Sequence, residues 1–123
     1  MRTWSLLSGA ALLAITAAVH SLLGERRLLQ PVLRRPAGLL ASSDLARFVL
    51  RFAWHLTSLT WLVLAIVLTT LALQPASMLK STATATGIAF TFAGTFDAIA
   101  SRGRHVGWPL LMGIGVVALL AAV

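Results

Sequence analysis

FVLRFAWHLTSLTWLVLAIVLTTLAL, running from Phe48 to Leu73, is the stretch that decides the fold class of this chain. Its only formal charge in 26 residues is Arg51. A membrane-spanning helix needs ~20 predominantly apolar residues, and this run exceeds that. Its apolar residues do not alternate with period two, so it does not read as a lipid-facing barrel strand. A helix satisfies its own backbone polar groups in lipid. The run therefore reads as a transmembrane helix.

Working outward, three more runs are long enough to cross: Trp4 to Leu23, Ser81 to Ala100 and Val106 to Val123. The predicted spans are thus 4–23, 48–73, 81–100 and 106–123, with a 24-residue segment, Gly24 to Arg47, after the first. The other two connections have 7 and 5 residues and make tight helical hairpins. The expected architecture is all-α. It is a single membrane domain over residues 1–123, a four-transmembrane-helix bundle with short hairpin loops and one longer, Arg-rich cytoplasmic loop.

Composition agrees. Hydrophobic residues make up 59% of the 123, before nine glycines are counted. A soluble domain has ~45–50% with glycine included. Charged residues are 11%, against ~25% in a soluble domain. So few charges cannot cover the surface of so small a domain in water. Cysteine is absent, which excludes a disulfide scaffold, thiolate zinc sites and iron–sulfur clusters.

The net charge of +7 does not mark a nucleic-acid protein, because the basic residues fall between apolar runs rather than along one stripe. Seven of them (Arg26, Arg27, Arg34, Arg35, Arg47, Arg102 and Arg104) lie on one side of the predicted spans, against Arg2 and Lys80 on the other. Positive loops stay inside, so both termini are expected outside. The first run has Arg2 and an apolar stretch, as signal peptides do. It continues to Leu23 and into Glu25-Arg26-Arg27 without a clean A-x-A site, and so reads as an uncleaved anchor.

The 24–47 segment has features of its own. Pro31 and Pro36 bracket Arg34 and Arg35, and Ser42-Ser43-Asp44 reads as a helix start, placing the beginning of the second helix near Asp44. Arg26, Arg27, Arg34 and Arg35 are expected at the interface with anionic lipid headgroups. A partner-docking surface is the alternative. Trp4 and Trp108 are expected as anchors at opposite interfaces.

His20, His55, His105, Asp97 and Glu25 all fall toward the inner side. Asp44, Arg47, Arg51, His55 and Ser58 are spaced 3, 4, 4 and 3 and share one helix face. A carboxylate one turn into lipid needs a partner. Arg51 and His55 are the expected partners of Asp97, with Arg102 and Arg104 next. The three residues Arg51, His55 and Asp97 form the expected polar cluster. His20 and His55 are expected to face the bundle interior. In the third helix Ala83, Gly87, Gly94 and Ala98 form a small-residue packing face, and Gly113 and Gly115 point to close contact in the fourth. Pro109 suits a first helical turn.

His20-Ser21-Leu22-Leu23-Gly24-Glu25-Arg26 followed by Pro31, then Trp54-His55-Leu56-Thr57-Ser58, then Ser101-Arg102-Gly103-Arg104 with Gly107-Trp108-Pro109, resembles a group of small uncharacterised bacterial four-span inner-membrane proteins. The resemblance spans nearly the whole chain. It implies a four-helix bundle in the bacterial inner (plasma) membrane and brings no activity with it.

The leading functional expectation is an accessory, assembly or structural subunit, partnered by the bilayer and by other membrane proteins or a second copy, with no cofactor and no catalysis. A second reading uses the histidines. His20 and His55, on facing helices, would bind haem b axially; or His20, His55, His105 and Asp97 would hold a divalent metal. A third is an oligomeric transporter or channel, although no ionisable residue lies near the midplane. An enzyme at the inner interface would have only His55 or Asp97 as base, and no nucleophile elbow, phosphate loop or paired-carboxylate motif accompanies them.

Overall fold

Helices and tight turns make up the whole of this computed structural model, which describes residues 1–123. Helix α1, Arg2–Val19, does not stop where the first apolar run stops. It continues into a π-helical segment, His20–Leu29, and then into α2, Gln30–Arg34, as one helical stretch of 33 residues. The expected 24-residue loop is therefore mostly helix. The charges at Glu25, Arg26 and Arg27 end the lipid-soluble part of the helix, but nothing before Arg35 ends its helicity. Pro31 falls in the first turn of α2, directly after the wide π turns, where its missing N–H is best tolerated.

The chain leaves the helix at Arg35, ahead of Pro36, and turns through Gly38 at φ +55°. One helical turn, α3 (Leu39–Ser42), precedes α4, Asp44–Leu73. The predicted start of α4 is found: Ser43 Oγ accepts the Ala46 N–H at 3.1 Å as its cap. A 3-10 turn, Pro75–Ser77, leads into α5, Met78–Ala100. Helix α6, Trp108–Ala121, carries Pro109 in its first turn as expected.

Helix α5 ends in a Schellman turn. The Gly103 N–H donates to the Ala98 carbonyl at 2.8 Å and the Arg102 N–H to Ile99 at 3.1 Å. This places Arg102, a residue with a Cβ, at φ +54°. Arg102→Gly should therefore raise thermal stability by up to about 1 kcal/mol, because the left-handed penalty disappears. A melting curve in detergent checks this.

Helix α1 packs on α4, α4 on α5, and α5 on α6. No extensive α1–α6 or α1–α5 packing closes the set, so the helices stand in an open row. The α5–α6 pair uses the predicted small residues: Gly87 lies against Leu119 and Gly94 against Met112. Of the two α6 glycines, Gly115 meets Thr91, while Gly113 faces open space and makes no close contact.

Only 14 of 123 residues are buried, and side chains such as Phe92 (67% exposed) and Leu120 (72%) point outward. A soluble monomer does not expose apolar surface on this scale. Two helical stretches, Arg2–Arg34 and Asp44–Leu73, are long and apolar enough to cross a membrane. The other two expected spans fall short of the same test. Helix α5 carries Lys80, Asp97 and five threonines. Helix α6 has 14 residues, about 21 Å of rise against a ~30 Å hydrocarbon core.

Candidate functional site

The polar residues gather where the π segment crosses the first half of α4. The crossing is antiparallel: Ser21 meets His55 and Ser58, and Glu25 meets Arg51 and His55. Ser21 and Glu25 are four residues apart, as are Arg51 and His55, so two one-turn ladders face each other.

Together they form a polar chain. Ser58 Oγ lies 2.9 Å from Ser21 Oγ, and Ser21 Oγ lies 3.0 Å from His55 Nδ1. His55 Nε2 is 3.4 Å from Glu25 Oε2, an ion-pair contact, and Glu25 Oε1 is 2.9 Å from Arg51 Nη2. Ser58 is buried, whereas half of the Arg51 side chain is exposed. The chain therefore runs from the interior of this crossing to its surface. Ser21 donates to Ser58 and its oxygen accepts from the His55 Nδ1–H, while Glu25 Oε2 is buried without a hydrogen-bond partner.

His20 has a separate setting. Its ring stacks on Trp54 with centroids 4.2 Å apart and meets the edge of Trp61 at 5.0 Å. The Trp54 Nε1–H donates to the His20 carbonyl at 3.0 Å. The two tryptophans, seven residues apart, are thus packing residues against His20. Gly24 makes this possible, since a Cβ there would lie 2.5 Å from Trp54 Cζ2. Only glycine lets the indole cross the helix so closely.

Asp97 departs from expectation. It is fully buried, and its partner is neither Arg51 nor His55. His105, from the turn before α6, places Nδ1 2.6 Å from Asp97 Oδ2. Its backbone N–H reaches Ser101 Oγ at 3.3 Å, and its ring meets the edge of Phe52. The expected cluster of Arg51, His55 and Asp97 is thus two clusters. Arg51 and His55 belong to Glu25 on the π segment, and Asp97 belongs to His105 beside its own helix. Arg102 and Arg104 make no ion pair with Asp97. Asp97 is instead met by His105 from the turn that leads into α6.

The proposed ligand set His20, His55, His105 and Asp97 is divided among three settings, and no three His, Asp or Glu side chains converge on one point. For haem, both nitrogens of His55 already face Ser21 and Glu25, so it offers no free axial nitrogen. These residues do not fit an axial pair around a macrocycle. His20 Nε2 is buried without a partner, and so is Asp97 Oδ1.

A hydroxyl, an imidazole and a carboxylate in line is also the order that activates a nucleophile. Ser21, however, lies within a helical stretch whose backbone N–H groups are spent inside it, so no donor pair awaits an oxyanion. What the arrangement supplies is hydrogen bonding and charge pairing. Glu25 is the residue that sequence reasoning left outside the site, because it follows the end of the apolar run. Its signal was the four-residue spacing to Ser21, matched by Arg51 and His55 on the opposing helix. Glu25→Gln should lower stability by about 1–2 kcal/mol, between the values for exposed and buried pairs. Arg26→Gln, exposed and without a carboxylate partner, should leave the melting temperature unchanged in the same scan.

Of the interfacial residues, Trp4 is largely exposed near one end of the row and Trp108 opens α6 at the other. Arg26, Arg27, Arg34 and Arg35 are all exposed around the end of the α1–α2 stretch. No family model matches the chain, and no curated protein or solved structure is significantly similar to it.

Proposed function

We propose that this chain is a multi-pass protein of the bacterial inner membrane, crossing four times with both termini outside, and that it serves as an accessory or assembly subunit without chemistry of its own. The observation that carries the reading is the open helix row. Large apolar side chains line its outer faces, and little of the chain is buried within itself. Such a row is completed by lipid and by neighbouring membrane helices, and the small-residue contacts within it follow the packing rule of membrane helices. The short α6 crosses only where a neighbour or a thinned bilayer accommodates it. The polar groups at the inner end support the same reading, since most are paired with one another.

The test is extraction from native membranes in mild detergent, followed by intact-complex mass measurement and an absorption spectrum. A stoichiometric second membrane chain is expected, with no Soret band. A Soret band, stoichiometric metal or a solitary monomer overturns the reading. Orientation is checked separately. A reporter active only in the cytoplasm, fused after Val123, should be silent, and an active one reverses the topology.

A further inference from the structure

Two cavities meet at the crossing of the π segment and α4. The first, of about 470 Å³, lies between the π segment, α4 and α5. Its walls are largely apolar and include Phe48, Phe52, Phe92 and Phe96, and Arg51 and His55 also line it. The second, of about 550 Å³, is lined by Gln30, Leu33, Arg34, Arg47, Phe48 and Arg51. Phe48 and Arg51 belong to both. The two therefore adjoin at Phe48 and Arg51, with an apolar groove on one side and a cup lined by three arginines on the other.

That polarity is the polarity of an amphiphile. In the cup, Arg47 pairs with Asp44 and Arg51 with Glu25, while Arg34 makes no ion pair. Three arginines against two carboxylates leave one unit of positive charge. A phosphodiester carries one negative charge, and its oxygens match the forked donors of arginine. A neutral headgroup would leave Arg34 uncompensated, and a phosphate without a lipid tail would leave the apolar groove unfilled. Basic recesses between membrane helices on the inner side are where anionic headgroups bind.

We propose that these adjoining cavities bind one anionic glycerophospholipid of the inner leaflet, its phosphate on Arg34, Arg47 and Arg51 and one acyl chain along the Phe48–Phe96 groove. The proposal rests on the reading that the chain spans the membrane. It goes beyond diffuse anchoring by Arg26, Arg27, Arg34 and Arg35, because it names one bound lipid and separates Arg34 from its neighbour Arg35, which does not line the cup.

The experiment is native mass spectrometry of the full chain in detergent, incubated with equal amounts of phosphatidylglycerol and phosphatidylcholine. One phosphatidylglycerol retained per chain, in preference to phosphatidylcholine, is expected. Arg34→Gln should reduce that retention about fivefold, the effect of one basic residue at a membrane surface, and Arg35→Gln should leave it unchanged. Inorganic phosphate in millimolar excess should not displace the lipid. Equal retention of the two lipids, equal effects of the two substitutions, or displacement by phosphate overturns the proposal. Carbonate washing of the membranes tests the underlying reading independently. Release of the protein into the wash defeats membrane spanning, whereas a protein that stays in the pellet without lipid preference defeats the lipid site alone.

Discussion

Gly115→Ala is expected to destabilise the chain by about 3 kcal/mol, the upper end of the usual cost of overpacking. A Cβ at this position would collide with the Thr91 backbone and Oγ1. Backbone atoms cannot rotate away as a side chain does, so α6 must lift from α5. The α5–α6 pair is held by such contacts along its length, and Gly87 and Gly94 meet α6 in the same way. Gly113→Ala, two residues earlier on the same helix, meets open space. It should be neutral or slightly stabilising, because alanine is the better helix former. Thermal unfolding of the two variants side by side decides the matter. Equal melting temperatures would mean that α5 and α6 are not packed at Gly115.

The second large effect is expected at Asp97. Asp97→Leu removes the acceptor of His105 Nδ1 from a fully buried position. Removing one partner of a buried pair costs ~3–5 kcal/mol. The lower limit applies here, because the imidazole can remain neutral. Asp97→Asn retains an oxygen for the same hydrogen bond and should cost about 1 kcal/mol. The expected order of stability is wild type, then Asn, then Leu, read from denaturant midpoints. The double variant Asp97→Leu with His105→Phe should recover part of the loss, since it leaves no polar group unpaired. If Asp97→Leu melts at or above wild type, the buried carboxylate does not serve stability. Its unpartnered Oδ1 would then point to a functional role.

Local chemistry accounts for what was legible in the sequence. An apolar run of 26 residues with a single charge can only be a long helix, and Ser43 before Asp44 marks its start wherever the helix packs. Pro109 marks the first turn of α6, and the small residues Gly87, Gly94 and Gly115 mark a close helix contact. The gathering of histidines and acids toward one end also follows from their places along the runs. None of these features depends on which helix lies beside which.

Choice of partner does depend on it, and only the tertiary structure decided that. Glu25 reaches Arg51 and His55 because the helix continues past the apolar run and because ten residues of π-helix change the angular step. Faces drawn at 3.6 residues per turn do not carry across such a segment. Asp97 pairs with His105 because the α5–α6 turn folds back onto the face that carries it. The openness of the helix row belongs to the same class, since four apolar helices of these lengths suit a closed bundle equally well. Helix length, capping and small-residue faces are properties of a segment and its own neighbours in sequence. Rotation about the helix axis, and the order of helices in the row, are set by contacts between segments far apart in the chain.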